Sequence, residues 1–181
     1  TTTVTVLNTP PQWTVDAQEE TESSTTTPTN SEDAIAWVAT ATDSNAEDYF
    51  LLICSTAVAP SSTSNGPPTC NSPVTWAVSA TTTSGSQARA VATTTEAFAE
   101  SNDWYAWVCD AIVSGPRCNV SSRQGTATTA SPFNVNHRPT FTVFSDNSEL
   151  LGTVPGDVVT FYATTTDTDS VDDPDTKQLI I

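Results

Sequence analysis

Apolar and polar positions alternate along much of the chain, and this period of two predicts β-strands. Ile35, Trp37 and Ala39 fall on one side of such a strand, so we expect that side to be the more deeply buried. Helical periodicity is essentially missing. Further strands are predicted at residues 49–54, 75–80, 88–94, 104–109 and 126–135.

Proline and glycine fall mostly between these strands rather than inside them. Several short strands separated by frequent turns favour an all-β fold, a β-sandwich with immunoglobulin-like topology. Most Thr residues have β-branched or aromatic neighbours and are assigned to strands, although a Ser/Thr bias also occurs in O-glycosylated stalks. No stretch approaches the roughly 20 apolar residues of a membrane span.

The chain contains an internal repeat. Residues 7–13 reappear at 135–141 as the pattern apolar-Asn-x-x-Pro-x-aromatic, at an offset of about 128 residues. This offset is normal for one sandwich domain. Two collinear matches follow, of residues 35–43 with 159–167 and of residues 51–53 with 179–181.

The repeat predicts how the chain is organised. Residues 8–135 form one complete module, and residues 136–181 form the first strands of a following, incomplete module. Residues 1–7 align with 129–135, the last strand of the complete module. We therefore interpret residues 1–7 as the last strand of a preceding copy, a donor-type assembly strand with Val4, Val6 and Leu7 as its apolar residues.

Short motifs carry a resemblance to a class of proteins. The stretch Asn102 to Asp110 resembles the penultimate strand of immunoglobulin-like, fibronectin-like and PKD-like modules. The whole module, with Asp43-Ser44-Asn45 after one strand and the junction Ser131 to Pro139, is similar to tandem repeats of large prokaryotic surface proteins. This resemblance implies a structural or adhesive role and names no ligand. The chain differs from antibody-type domains, because no Cys…Trp…Cys spacing joins two sheets.

The charge of the chain is strongly acidic. Asp and Glu total 21 against 5 Lys and Arg, a formal net charge of −16. Nucleic-acid binding is therefore not expected, because neutralising phosphates needs clusters of basic residues. An acidic surface instead favours solubility, mutual repulsion of neighbouring chains and the binding of divalent cations.

The four cysteines suggest disulfides and an extracellular location, on the cell surface or beyond it. We favour the local pairs Cys54 with Cys70 and Cys109 with Cys118, because each pair brackets one turn-rich segment. A zinc site is the alternative, but the cysteine spacings are too wide for Cys-x-x-Cys motifs, and the one histidine, His137, lies in a junction.

Two acidic loops occupy the same place in the two copies. The first follows the strand at 35–41 and contains Asp43, Asn45 and Asp48, and the second contains Asp167 and Asp169. Carboxylate and amide oxygens in a loop suit Ca²⁺, and Asp110 is expected to add a ligand if the strands bring the loops together. A solvated polar turn explains the same residues, so no cofactor is required and calcium remains an alternative.

Nothing in the sequence predicts an enzyme. A Gly-x-Ser-x-Gly elbow, a phosphate loop and a His-Glu-x-x-His motif are all missing. Paired carboxylates hydrolyse glycosides in some enzymes, but here the candidate acids lie in polar loops where little raises a pKa.

Aromatic residues and glycans suggest a further alternative. Trp13 and Trp37 align with Phe141 and Phe161 and are interpreted as core residues. Trp104 and Trp107 are either core residues or a platform for stacking on sugars. Asn119 begins the one N-glycosylation sequon, which predicts a surface loop.

The expected function is structural. We predict a subunit or segment of an extracellular filament or surface fibre, with copies of the same module as partners joined end to end through shared strands. The alternative is a carbohydrate-binding or adhesin module on a cell surface, with glycans as partners.

Overall fold

The computed structural model describes residues 8–61, 66–71, 74–111, 117–148, 152–167 and 169. These residues form an all-β fold, and none of the helices among them is long and apolar enough to cross a membrane. The strands are β1 (Gln12–Glu19), β2 (Thr29–Asn30), β3 (Ala34–Thr42), β4 (Tyr49–Cys54), β5 (Thr75–Val78), β6 (Gln87–Thr93), β7 (Ser101–Asn102), β8 (Tyr105–Asp110), β9 (Phe133–Asn136), β10 (Thr140–Asp146) and β11 (Phe161–Thr166).

Two three-stranded antiparallel sheets enclose one apolar core. Their strand orders are β1-β3-β6 and β5-β4-β8, an arrangement compatible with a β-sandwich. The core forms where alternate side chains of β3 meet those of β4 and β8, as the period of two predicts. Its members include Ile35, Trp37, Ala39, Leu51, Ile53, Ala106 and Val108.

Trp37 lies at the centre of this core. It is fully buried and makes edge-on contacts with two other buried aromatics, Trp104 at a centroid distance of 6.3 Å and Phe133 at 5.6 Å. Trp104 lies just before β8 and Phe133 begins β9, so Trp37 ties β3 to two distant parts of the chain. Edge-on aromatic pairs stabilise by roughly 0.5–1.5 kcal/mol beyond the area that they bury.

A fully buried carboxyl group lies beside this aromatic cluster. Glu19, at the end of β1, accepts hydrogen bonds from Trp104 Nε1 at 3.1 Å and from Ser23 N at 2.9 Å and Ser23 Oγ at 2.7 Å. Burial raises the pKa of Glu19, and the donors from Ser23 and Trp104 oppose that shift. Both carboxyl oxygens thus have partners, which makes the burial of Glu19 tolerable.

Both disulfides cover the outer face of the β5-β4-β8 sheet. Cys54 is bonded to Cys70, 16 residues away, and Cys109 to Cys118, 9 residues away. These are the local pairs that the sequence favours. Together with Trp107 and other residues of that face they form a second small apolar cluster. Closing loops of these lengths stabilises a fold by roughly 3 kcal/mol each in the chain-entropy model.

The predicted strand at residues 126–135 is largely wrong. Residues Ala127–Thr129 form a turn of 3₁₀ helix, and only Phe133–Asn136 form a strand, β9, which pairs with β2 and β7. Positive φ angles at Gly125 (73°) and Ala127 (56°) turn the backbone out of the extended conformation. Gly125 also approaches Ala17 so closely that a Cβ atom would lie 3.0 Å from the Ala17 carbonyl oxygen.

The last two strands form a separate two-stranded antiparallel sheet. β10 pairs with β11 only, among the residues that the structure describes. Most of its large apolar side chains are exposed, including Phe141, Val143, Phe144 and Tyr162. Among the described residues, no second layer covers this sheet as the β5-β4-β8 sheet covers the equivalent face of β3.

Replacing Trp37 by Ala tests the central position of this residue. We expect the substitution to lower the free energy of unfolding by about 3–5 kcal/mol, because it removes a large buried aromatic side chain and leaves a cavity. Urea unfolding followed by circular dichroism measures the change. Phe161→Ala is the matched control, since Phe161 aligns with Trp37 but is 37% exposed, and should change the stability of the unassembled chain by less than about 1 kcal/mol. Equal losses for both variants would contradict the assignment.

Candidate functional site

The segment that leads into β1 is hydrogen-bonded to the turn between β3 and β4, and we call this contact the first joint. The backbone N–H of Thr9 donates to Asn45 Oδ1 at 3.3 Å, and the Thr9 hydroxyl donates to the same oxygen at 2.9 Å. Asn45 is held in turn because its own backbone N–H donates to Asp43 Oδ1 at 2.6 Å. The turn between β3 and β4 therefore fixes the segment that leads into β1.

An equivalent contact holds the segment between β9 and β10, and we call it the second joint. The backbone N–H of His137 donates to Asp169 Oδ2 at 2.6 Å, and Asp169 N donates to Asp167 Oδ1 at 3.2 Å. His137 aligns with Thr9, Asp167 with Asp43 and Asp169 with Asn45 in the sequence repeat. The two acidic loops thus make equivalent contacts to equivalent backbone groups.

The strand pairing repeats as well. Gln12 pairs with Thr42 and Trp13 with Ala41, and a bulge follows before Val15 pairs with Thr40. In the second sheet Thr140 pairs with Thr166 and Phe141 with Thr165, and a bulge follows before Val143 pairs with Thr164. β10 and β11 therefore reproduce the register of β1 and β3, including the position of the first bulge.

The two sheets differ in what covers them. Trp37 is 0% exposed and its equivalent Phe161 is 37% exposed; Ile35 is 3% exposed and its equivalent Val159 is 38% exposed. The side chains of Phe141, Phe144 and Phe161 contact one another on one face of the second sheet. We call this set the β10–β11 aromatic face.

An acidic cluster lies beside Asn8, at one end of the first sandwich unit. Asp43, Glu47 and Asp110 each present a carboxylate oxygen, and the three atoms lie within 4.8 Å of one another. Asp43 and Glu47 belong to the turn between β3 and β4, and Asp110 ends β8. The backbone hydrogen bond from Ala111 N to Asp48 O, at 2.9 Å, holds the end of β8 beside this turn.

Burial and the closeness of the three carboxylates make negative charge in this cluster unfavourable. Burial raises the pKa of Asp110 to about 7. The hydrogen bond from Asn8 Nδ2, at 2.6 Å, opposes the shift, and the nearby carboxylates of Asp43 and Glu47 add to it. The cluster is therefore a place where negative charge is unfavourable unless a positive charge is added.

Only part of the predicted calcium ligand set comes together. Asp43 and Asp110 meet, as expected, and Glu47 joins them. The Asn45 side chain instead accepts from Thr9, and Asp48 is exposed and outside the cluster.

The residues predicted in the second acidic loop lie elsewhere. Asp167 and Asp169 lie at the second joint, where His137 contacts both carboxylate oxygens of Asp169. The sequence missed Glu47 and Asn8, although Glu47 stands in the first acidic loop.

The side chain of Asn119 is buried, although its glycosylation sequon predicts a surface loop. It is 5% exposed, its Nδ2 donates to Pro11 O at 3.1 Å and its Oδ1 accepts from Ser121 N. A glycan on this nitrogen would displace the contact with Pro11. The Asn119 amide therefore has a structural role in this fold, and its glycosylation stays a prediction.

The tryptophans considered for sugar stacking are buried. Trp104 is 0% and Trp107 2% exposed, so neither offers a platform for a sugar ring. Trp104 packs on Trp37, and Trp107 lies under the disulfides. This removes the observation that motivated a carbohydrate-binding module. The assembly residues Val4, Val6 and Leu7 lie outside the described residues.

Comparisons with family models, with curated proteins and with solved structures found no match to this chain. The geometry of the two joints, the acidic cluster and the β10–β11 aromatic face is therefore the basis for assigning a function.

The second joint contains a buried histidine whose two ring nitrogens both face acceptors. Nδ1 lies 2.5 Å from Asp169 Oδ1 and Nε2 lies 3.0 Å from Phe98 O. Burial lowers the pKa of His137, but the carboxylate of Asp169 and the Phe98 carbonyl raise it, and the net pKa lies above its ordinary value of 6.5. Glu96 adds a negative charge that acts in the same direction.

We expect this contact to depend on pH. Because the folded pKa of His137 is raised, its stabilisation is complete below the unfolded pKa and is lost as the pH rises through the folded pKa. NMR titration measures the pKa directly, since the chain has one histidine. The expected pKa is above 6.5, and Asp169→Asn should lower it. A pKa at or below 6.5 in the unmodified chain would contradict the assigned contact.

Proposed function

We propose that this chain is a non-enzymatic structural module of an extracellular fibre, in which immunoglobulin-like sandwich units follow one another end to end. The observation that carries the proposal is the β10–β11 sheet. It repeats the register of β1 and β3 and the contacts of the first joint, but its aromatic face is exposed. Such a face needs a second layer to become stable.

The covering layer is assigned to another copy of the module. In the first unit, Trp37 is covered by the β5-β4-β8 sheet and by Phe133 of β9. The equivalent layer for the second unit has the same chemistry, an apolar sheet face rich in Leu, Ile and Val. Residues 1–7 align with residues 129–135, of which 133–135 belong to β9, and they supply the matching last strand if copies exchange strands.

Equivalent acidic residues near the ends of β1 and β10 support the same reading. Glu19 accepts from Trp104, which stands on the opposite side of the core. Asp146 pairs with Phe161 as Glu19 pairs with Trp37, and it accepts from Ser148 as Glu19 accepts from Ser23. No donor from an opposing sheet reaches Asp146 among the residues that the structure describes. An incoming layer would supply one.

The two disulfides support an extracellular setting, because such bonds form and persist in oxidising compartments. They also stiffen the outer face of one sheet, which suits a module that resists unfolding without performing chemistry. The net charge of −16 separates neighbouring fibres by mutual repulsion.

Assembly is tested with variants of the β10–β11 aromatic face. Negative-stain electron microscopy and sedimentation should show end-to-end association of the chain, and Phe161→Ser should shorten or abolish it by removing an apolar contact. Val120→Ser is the control, because Val120 is 91% exposed and lies outside this face. Assembly unchanged by Phe161→Ser, or no association of the unmodified chain, would contradict the proposal.

Denaturing electrophoresis of native material under reducing conditions then distinguishes two forms of the fibre. A band near 19.1 kDa indicates separate copies joined by exchanged strands. Very large chains indicate modules that follow one another in one polypeptide. Either result keeps end-to-end modules as the architecture, whereas monomers of native material in both microscopy and sedimentation contradict it.

A further inference from the structure

We infer that Asp43, Glu47 and Asp110 bind one Ca²⁺ ion at the end of the first sandwich unit, beside Asn8. The inference concerns residues inside this unit and does not depend on fibre assembly.

The separation of the oxygens fits a single ion. The three carboxylate atoms lie within 4.8 Å of one another. Ca²⁺ holds oxygen ligands at about 2.3–2.6 Å, so two ligands on opposite sides of one ion lie roughly 5 Å apart. One ion placed between Asp43, Glu47 and Asp110 therefore contacts all three without a rearrangement of the backbone.

Unpartnered oxygens at the same place are an independent observation. Asp43 Oδ2, Glu47 Oε2 and Asp110 Oδ1 are buried and have no hydrogen-bond partner among the described residues. Asp43 is 7% and Asp110 0% exposed, so water has little access to these carboxylates. Buried carboxylate oxygens without partners destabilise a fold, and a bound cation removes that penalty.

No side chain of the described residues neutralises the cluster. The ion pairs found there join Arg89 to Glu20, Arg123 to Asp16, His137 to Asp169 and Arg138 to Glu32. Arg117 contacts the same end of the unit, but its Nη1 donates to the Asn8 carbonyl oxygen at 3.1 Å rather than to a carboxylate. No described basic side chain therefore pairs with the three carboxylates, and a bound cation would neutralise them.

The donor set selects the kind of ion. All candidate ligands are oxygens, which suits a hard cation such as Ca²⁺ rather than zinc or copper. Three carboxylates provide between three and six ligand atoms, according to whether each binds through one oxygen or two. Asn8 Oδ1, which is also buried without a partner among the described residues, is the fourth side-chain ligand, and water completes the shell.

The ion would join three separate parts of the chain. Asp43 and Glu47 come from the turn between β3 and β4, Asp110 from the end of β8, and Asn8 from the segment that leads into β1. Asn119 already holds the same segment through Pro11 O. Binding therefore fixes Asn8 and the segment that leads into β1 against the turn between β3 and β4 and the end of β8.

The test uses the full chain, freed of metal with EDTA and then exchanged into metal-free buffer. Calorimetric titration with CaCl₂ should show one saturable site, and Ca²⁺ at about 100 times its Kd should raise the melting temperature by roughly 5–10 °C. Asp110→Asn keeps the shape of the side chain and removes its charge. It should weaken Ca²⁺ binding at least ten-fold, and Glu47→Gln should weaken it in the same direction.

Asp48→Asn is the matched control, because Asp48 lies in the same turn but is exposed and outside the cluster. Its Ca²⁺ affinity should stay within about two-fold of the unmodified chain. The inference is overturned if the unmodified chain shows neither binding heat nor a change in melting temperature. It is also overturned if Asp48→Asn loses as much affinity as Asp110→Asn, or if MgCl₂ binds as tightly as CaCl₂.

Discussion

The burial of Trp37 between two sheets is the interaction on which the rest of the structure depends. Its ring contacts Trp104 and Phe133, and the carboxyl group of Glu19 is satisfied by the indole of Trp104. A single strand pair cannot provide this environment, because a sheet with one apolar face needs a second layer. The β1–β3 pair has that layer, and β10–β11 has the same register with the aromatic face uncovered.

The two joints show that the sequence repeat is also a repeat of contacts. Thr9 is held by Asn45 at the first joint and His137 by Asp169 at the second, through equivalent backbone donors. The equivalent contacts hold the segments that lead into β1 and β10 against equivalent acidic loops. The side chains nevertheless differ, since a neutral Thr–Asn pair at one joint is replaced by a titratable His–Asp pair at the other.

Much of the fold follows from the sequence, and the misses have physical causes. The sequence located β3, β4, β6 and β8, because alternating side chains in β3 and β6 and a nearly continuous apolar run in β4 and β8 are both typical of strands. The strand predicted at residues 126–135 is largely wrong, because Gly125 and Ala127 adopt positive φ angles that the strand-like side chains of this segment do not indicate. The acidic cluster was found only in part, since Asn8 meets Asp110 across 102 residues and such a contact leaves no local pattern. Asn119 matched a glycosylation motif although its amide is used inside the fold.

A cryo-electron microscopy map of the assembled material shows directly whether a second layer covers the β10–β11 sheet. We expect a second apolar sheet packed on β10–β11, with Phe161 as fully buried as Trp37 and with the contacts between His137 and Asp169 retained. An assembly in which Phe161 remains open to solvent, or in which the copies meet through another surface, would contradict it.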